Sequence, residues 1–221
     1  MIELYHIWKQ YQKPHWALSD ITLKIRKGDF HFITGPSGSG KTTLLRIVYR
    51  ELFPTLGQII IDGRNTLRIP EHRIYKLRRI MGIVFQDFRL LFHRRVFDNV
   101  GTVLQVLGTP QKEIRRKVFN ALRMVNLQHK MWEYPSRLSY GEQQRVAIAR
   151  AVVNNPKIIL ADEPTGNLDP ELAFEIMGLF KEINKQGTTI IVATHDRELI
   201  RHFGYKILFL QKGKLIGKEG F

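Results

Sequence analysis

One stretch constrains the fold of this chain more than any other: Gly35-Pro36-Ser37-Gly38-Ser39-Gly40-Lys41-Thr42. Its spacing is G-x-x-x-x-G-K-[ST], and its flanks carry as much information as the loop itself. Before it, Phe30-His31-Phe32-Ile33-Thr34 has the aromatic and β-branched composition of a short strand. After it, Thr43-Leu44-Leu45-Arg46-Ile47-Val48-Tyr49-Arg50 sets apolar residues at helical spacing, with bases on the other face. Strand, glycine-rich loop and helix start together place nucleotide phosphates here. Glycines permit the tight turn that points consecutive N–H groups inward, and the helix start adds unpaired N–H groups and its dipole. Lys41 supplies a flexible full charge for the β- and γ-phosphates, and the Thr42 hydroxyl is placed to ligate Mg²⁺. Gly35 through Thr43 are therefore the candidate phosphate-binding residues.

A chain of 221 residues exceeds the usual length of one simple domain but suits one α/β core with a subdomain. It can bury on the order of 70% of its unfolded surface, so it needs no disulfide or metal staple. The absence of cysteine removes thiol catalysis, disulfides and Cys-ligated zinc, and agrees with a reducing cytosol. Met1-Ile2-Glu3-Leu4-Tyr5-His6 lacks the basic start and apolar run of a signal peptide, and no apolar stretch is long enough to span a bilayer. The expectation is a soluble chain that stays where it is made. Charge is the unusual part of the composition, with 35 Lys and Arg against 20 Asp and Glu, formally +15. The bases fall in scattered groups such as Arg78-Arg79, Arg94-Arg95 and Arg115-Arg116-Lys117, with no nucleic-acid arm and no base–aromatic stacking platform. An ordinary solvated surface and a face against anionic membrane both fit that pattern.

In chain order, residues 2–34 alternate apolar and polar in short runs broken at Lys27-Gly28-Asp29, predicting an antiparallel β region that leads into the phosphate strand. Tyr11, before a Pro-containing loop, could stack on a nucleotide base. Strands are expected over 56–63 and 80–86. From about Asp87 to Asn155 the texture becomes helical, over 96–107, 111–125 and 142–153, which predicts an inserted α-helical subdomain over 87–155. Strands at 157–161, 188–193 and 206–210 and an amphipathic helix at 171–185 restore the β/α rhythm of a mainly parallel sheet covered on both faces. The expected organisation is a single α/β domain whose nucleotide core comprises 1–86 and 156–221.

The second site-forming segment is Ile158-Ile159-Leu160-Ala161-Asp162-Glu163-Pro164. A carboxylate ending a buried strand near a phosphate loop suits Mg²⁺, usually through water, and Asp162 stands there. Glu163, next to it, can polarise the attacking water as a general base. Leu138-Ser139-Tyr140-Gly141-Glu142-Gln143-Gln144 opens a helix with Ser and Gly, a second anion site in the making.

This last segment resembles the signature motif of ABC ATPases, usually LSGGQ or LSGGE, and the family's motifs run in order along essentially the whole chain. The resemblance implies the ABC ATPase fold, a P-loop NTPase core with an antiparallel β region and a helical subdomain, and hydrolysis of ATP with Mg²⁺. It implies that Ser139 and Gly141 close in trans over the γ-phosphate held by a second copy, and that Gln86, as Q-loop glutamine, senses Mg²⁺ and couples to a membrane subunit. Gly166-Asn167-Leu168-Asp169 is similar to the D-loop that crosses the dimer interface, His195 in Ala193-Thr194-His195-Asp196 to the switch histidine at the γ-phosphate, and Tyr11 to the adenine-stacking aromatic. Metal contacts then fall to Thr42, Gln86 and Asp162, and catalysis to Glu163 and His195. Tyr140 departs from the pattern by replacing the first signature glycine; a ring there would either slow dimer closure or point at the coupling surface.

Within the family, Gly166-Asn167-Leu168-Asp169, Asp87-Phe88-Arg89-Leu90-Leu91 and Val96-Phe97-Asp98-Asn99-Val100 resemble the cell-division branch, the FtsE type. That branch implies an ATP-dependent homodimer, an FtsX-like integral membrane subunit, contact with anionic lipid and divisome proteins, and a peripheral position on the cytoplasmic face of the cell membrane. Lipoprotein-release and macrolide-export ATPases are the alternative, and nucleic acid is not an expected partner. Phe92-His93-Arg94-Arg95 departs from the branch's usual Pro-Asn-Arg-Thr, at the surface expected to meet the membrane partner.

Overall fold

A computed structural model describes residues 1–12 and 14–219. The alternating first segment forms two long strands, β1 (Ile2–Gln12) and β2 (His15–Ile25), and the aromatic run before the loop forms β3 (Phe30–Thr34). The phosphate loop then opens helix α1 (Lys41–Val48), followed by β4 (Leu56–Ile61), β5 (Arg64–Asn65), the single-turn α2 (Tyr75–Arg78) and β6 (Met81–Val84). Three helices come next, α3 (Val96–Val106), α4 (Gln111–Met124) and α5 (Tyr140–Val152). The chain returns through β7 (Ile158–Asp162), α6 (Pro170–Lys185), β8 (Thr189–Ala193), α7 (Arg197–Phe203), β9 (Lys206–Gln211) and β10 (Lys214–Glu219).

Two sheets result. One is antiparallel, ordered β2-β1-β4-β5, with Leu4 opposite both Leu23 and Ile59. The other is ordered β10-β9-β3-β8-β7-β6; β6, β7, β8, β3 and β9 are mutually parallel, and only β10 runs against its neighbour. Successive side chains on a strand point to opposite faces, and here both faces are covered. Phe32, Ile159, Ala161 and Val192 pack into a core shared with α3 to α6; Ile33, Ile158, Leu160 and Ile191 pack into a second core with α1 and the antiparallel sheet. This is why β7 and β8 read as unbroken apolar runs. Phe32 and Phe180 are fully buried, and truncating such a ring costs about 3–5 kcal/mol.

β3, early in the chain, lies between β8 and β9 from its end. Its register pairs Ile33 with Ala193, while Asp162 of β7 also pairs with Ala193. The carboxyl ends of β3, β7 and β8 therefore finish at one level, the edge at which open α/β sheets hold ligands. Among the short elements beyond the reach of periodicity are α7, capped by Asp196, and β10, joined to β9 through Lys212 and Gly213 at positive φ.

Candidate active site

The phosphate loop leaves the carboxyl end of β3 and closes on α1 with no intervening spacer. Gly40 caps the helix at φ 106°, and a Cβ there would stand 2.7 Å from both the Ala17 carbonyl oxygen and Leu18 Cδ2. At Gly35 a Cβ would lie 1.9 Å from the Leu210 carbonyl oxygen of β9. No other residue fits either place. Lys41 is largely buried, and its Nζ donates to the carbonyls of Gly35 (2.8 Å) and Pro36 (3.2 Å), so the ammonium sits inside the curl of the loop. A cavity of about 560 Å³ opens over the loop, lined by Gly35 through Thr43 together with Gln86, Glu163 and His195. Phosphate oxygens would find donors there, because the buried Ser39 hydroxyl in the loop has no protein partner.

The two carboxylates after β7 diverge in role because the backbone turns between them. Asp162 ends the strand and accepts a hydrogen bond from Thr42 Oγ1 at 3.2 Å. Burial pushes its pKa above the usual 3.8, the adjacent Glu163 charge adds to the rise, and the Thr42 hydroxyl opposes it. Glu163 takes a left-handed conformation, φ 45°, and its N–H donates to the Ala193 carbonyl at 2.9 Å. That twist carries its side chain toward β8, where Oε1 lies 3.0 Å from Nδ1 of His195. Glu163 Oε2 is buried without a protein partner, which costs free energy unless water or ligand fills the gap. The imidazole of His195 is 70% exposed, the Glu163 side chain only 13%. Among the described residues no three His, Cys, Asp or Glu side chains converge on one point. A cation beside Thr42 and Asp162 would thus depend on hydroxyl and phosphate oxygens, the donor set Mg²⁺ prefers.

The structure brings Gly35 to Thr43, Gln86, Asp162, Glu163 and His195 to one edge. Tyr11, at the end of β1, adjoins them: its ring is 54% exposed and its hydroxyl is 3.3 Å from Thr43 Oγ1. Ser139, Gly141 and Asp169 do not line the same cavity. Ser139 caps α5 in a capping box, its Oγ accepting from Glu142 N–H at 3.3 Å while Glu142 Oε2 accepts from Ser139 N–H at 3.0 Å. Burial alone would raise the Glu142 pKa, but Lys130 and the Ser139 N–H outweigh it and hold the carboxylate below its usual 4.5. Asp169 caps α6, accepting from Leu172 N–H at 2.9 Å. Gly141 has a packing role besides any contact with phosphate, since a Cβ there would stand 2.2 Å from Leu172 Cδ2.

Two positioning residues escape motif reading. Arg150, the one base within the otherwise apolar stretch 146–152 of α5, donates to the carbonyls of Phe88 and Arg89, both at positive φ just after Gln86. Asn99, fully buried in α3, accepts the Leu91 N–H at 2.7 Å and donates to the carbonyls of Leu91, Arg94 and Arg95, each at 3.0 Å. The signal for Arg150 is its isolation among apolar neighbours. Asn99 gives no sequence signal beyond a polar residue on an apolar helix face.

A family model described as ABC transporter matches residues 18–166. Proteins named cell division ATP-binding protein FtsE are similar along their whole length. The one from Bacillus subtilis is 43% identical over 219 residues, covering 99% of this chain and 96% of the relative. That of Mycobacterium tuberculosis is 46% identical over 220 residues, with 99% and 96% covered, and that of Escherichia coli K12 is 44% identical, with 100% and 99% covered. Among solved structures, the dimeric bacterial ABC transporter cassette MJ0796 superposes with a TM-score of 0.92 at 39% identity, covering 100% of this chain and 98% of that one. Its dimeric post-hydrolysis state bound to ADP and Pi gives 0.91 at 38% identity, over the same shares.

Proposed function

The chain belongs to the ABC transporter family, and from that premise we propose that it is the ATP-hydrolysing subunit of an FtsEX-like complex acting in bacterial cell division. The single observation that carries the chemistry is the pair at the sheet edge: Asp162 held by Thr42, and Glu163 turned through a left-handed residue to face His195. Lys41 and the loop amides bind the β- and γ-phosphates, and Tyr11 stacks on the base. Thr42, Asp162 and Gln86 would hold Mg²⁺, partly through water, and its charge, when bound, offsets that of the phosphates. Glu163 Oε2, the free buried oxygen, takes the proton from the attacking water, while His195 holds Oε1 in place and contacts the γ-phosphate.

The site is half of a composite one. Ser139 and Gly141 lie outside the cavity of their own chain, which fits a role over the nucleotide of a second copy, and the similar cassette is a dimer. Two copies then enclose two ATP molecules, with Asp169 and its turn at the interface. The lipoprotein-release and macrolide-export readings are not favoured, because the end-to-end relatives named above are cell-division proteins.

Hydrolysis drives an FtsX-like membrane subunit from the cytoplasmic face. Supporting this, a mainly apolar cavity of about 650 Å³ lies between α2, the strand leading to Gln86, α3 and α5, lined by Tyr75, Ile83, Phe85, Val103, Val106 and Arg150. No helix among the described residues is long and apolar enough to cross a membrane; in this reading the chain sits peripherally, held by the membrane subunit. Beside that cavity the charge is concentrated. Arg64, Arg68, Arg73, Lys76 and Lys157 surround a cleft of about 390 Å³, and the first four form no ion pair among the described residues. This face suits anionic lipid. Glu163→Gln tests the reading: hydrolysis should fall about a hundredfold to ten-thousandfold, and ATP should hold the protein as a dimer in light scattering. Wild-type turnover in that variant would remove Glu163 from the mechanism.

A further inference from the structure

Tyr140 stands where the family pattern has glycine, and the structure gives its side chain two partners. The ring packs edge-on against Phe88, with centroids 4.4 Å apart at 61°. Its hydroxyl accepts a hydrogen bond from Asn167 Nδ2 at 2.6 Å. Although 41% exposed, the side chain is pinned at both ends. The contacts belong to three different segments. Phe88 follows Gln86 and is held at positive φ, its carbonyl tied to Arg150. Asn167 follows Gly166, whose N–H donates to the Glu163 carbonyl at 3.2 Å. Ser139, next to Tyr140, is locked in its capping box, and Gly141 is seated against Leu172.

We infer that Tyr140 is a positioning residue: it latches the start of α5 to the 166–169 turn and to the segment after Gln86, so that Ser139 and that turn present one preassembled surface to a second copy of the chain. Glycine at this position could make neither contact. Besides the two roles open to a ring here, slowing closure or meeting a membrane partner, its contacts give it a third within its own chain. The ring spans the seam between two segments of its own chain, Phe88 on one side and Asn167 on the other, with its remaining surface open to solvent. Association orders loops at an entropic cost, and a turn already tethered loses less freedom on docking. The latch therefore favours the ATP-bound dimer without touching the chain's own phosphate loop. This inference rests on the two-copy reading of the site.

Tyr140→Phe keeps the ring on Phe88 and deletes only the acceptor for Asn167. In a Glu163→Gln background, the dissociation constant of the ATP-bound dimer should rise about two- to tenfold, the range one hydrogen bond supplies, with binding of a fluorescent ATP analogue to the monomer unchanged. Asn167→Ala should give the same loss, and the double variant no more than either alone. Additive losses, or an unchanged dimer constant, overturn the latch. Amide exchange of residues 166–168 in the nucleotide-free protein reads the same contact without a dimer: it should rise about two- to tenfold in Tyr140→Phe, and unchanged exchange also overturns the inference. Failure of Glu163→Gln to dimerise would instead count against the two-copy reading, with the exchange measurement still deciding the latch.

Discussion

Replacing Asn99 by alanine perturbs a place where one buried side chain organises a whole turn. Its Oδ1 takes one N–H, and its two amide hydrogens are shared among the three carbonyls of Leu91, Arg94 and Arg95. That is three bonds' worth of donors and acceptors, at about 1 kcal/mol each. The alanine also strands the Leu91 N–H and carbonyls that water reaches only in part, so the expected loss is about 2–4 kcal/mol. For a chain of this length each kcal/mol lowers Tm by roughly 2–4 °C, which puts the drop at about 5–15 °C by circular dichroism without nucleotide. Asn99→Asp should be at least as harmful, because a carboxylate would aim at three carbonyls with no hydrogen to offer. Nucleotide binding should survive in both, since neither touches the phosphate loop. A Tm drop below about 2 °C in Asn99→Ala, or an unaffected Asn99→Asp, would show that the 91–95 turn is held by something else.

The remaining predictions concern the strand, the loop and the charged face. His31 is buried in β3, and burial lowers its pKa from 6.5 more than the partner Asp29 raises it. The folded chain then binds the proton less well than the unfolded chain, so this contribution is fully present above 6.5 and is lost as pH falls through the lowered value. The Tm of the protein should fall more steeply between about pH 7.5 and 5 than that of His31→Gln, and parallel profiles would contradict the assignment. Gly40→Ala forces a Cβ to within 2.7 Å of Ala17 and Leu18 at φ 106°; it should cost at least 1–2 kcal/mol and abolish binding of a fluorescent ATP analogue, whereas retained affinity would mean the loop can re-form elsewhere. Reversing Arg64, Arg68 and Arg73 to Glu together should release the protein from phosphatidylglycerol vesicles in sedimentation at low salt while leaving basal ATP hydrolysis intact. Equal sedimentation would assign the basic cleft to solvent.

What could be read before the tertiary structure was whatever is encoded by neighbours in the chain. The phosphate loop, the helix behind it and the continuous apolar strands β7 and β8 follow from local spacing, because side-chain periodicity and glycine geometry act over a few residues. Asp162 and Glu163 were legible as a strand-end pair for the same reason, and the ordered motifs identified the ABC family. Elements of two to seven residues, β5, α2 and α7, were not, since they hold too few turns or alternations for a period to register. Nor did Asn99 or Arg150 announce itself, because their bonds reach carbonyls 4 to 62 positions away in sequence. Only the tertiary structure inserted β3 between β8 and β9, brought three strand ends to one level, turned Glu163 through positive φ to face His195, and set Tyr140 between Phe88 and Asn167. Each of these depends on pairing or packing between segments distant in the chain, where the free energy comes from burial and ladder hydrogen bonds that no local pattern contains.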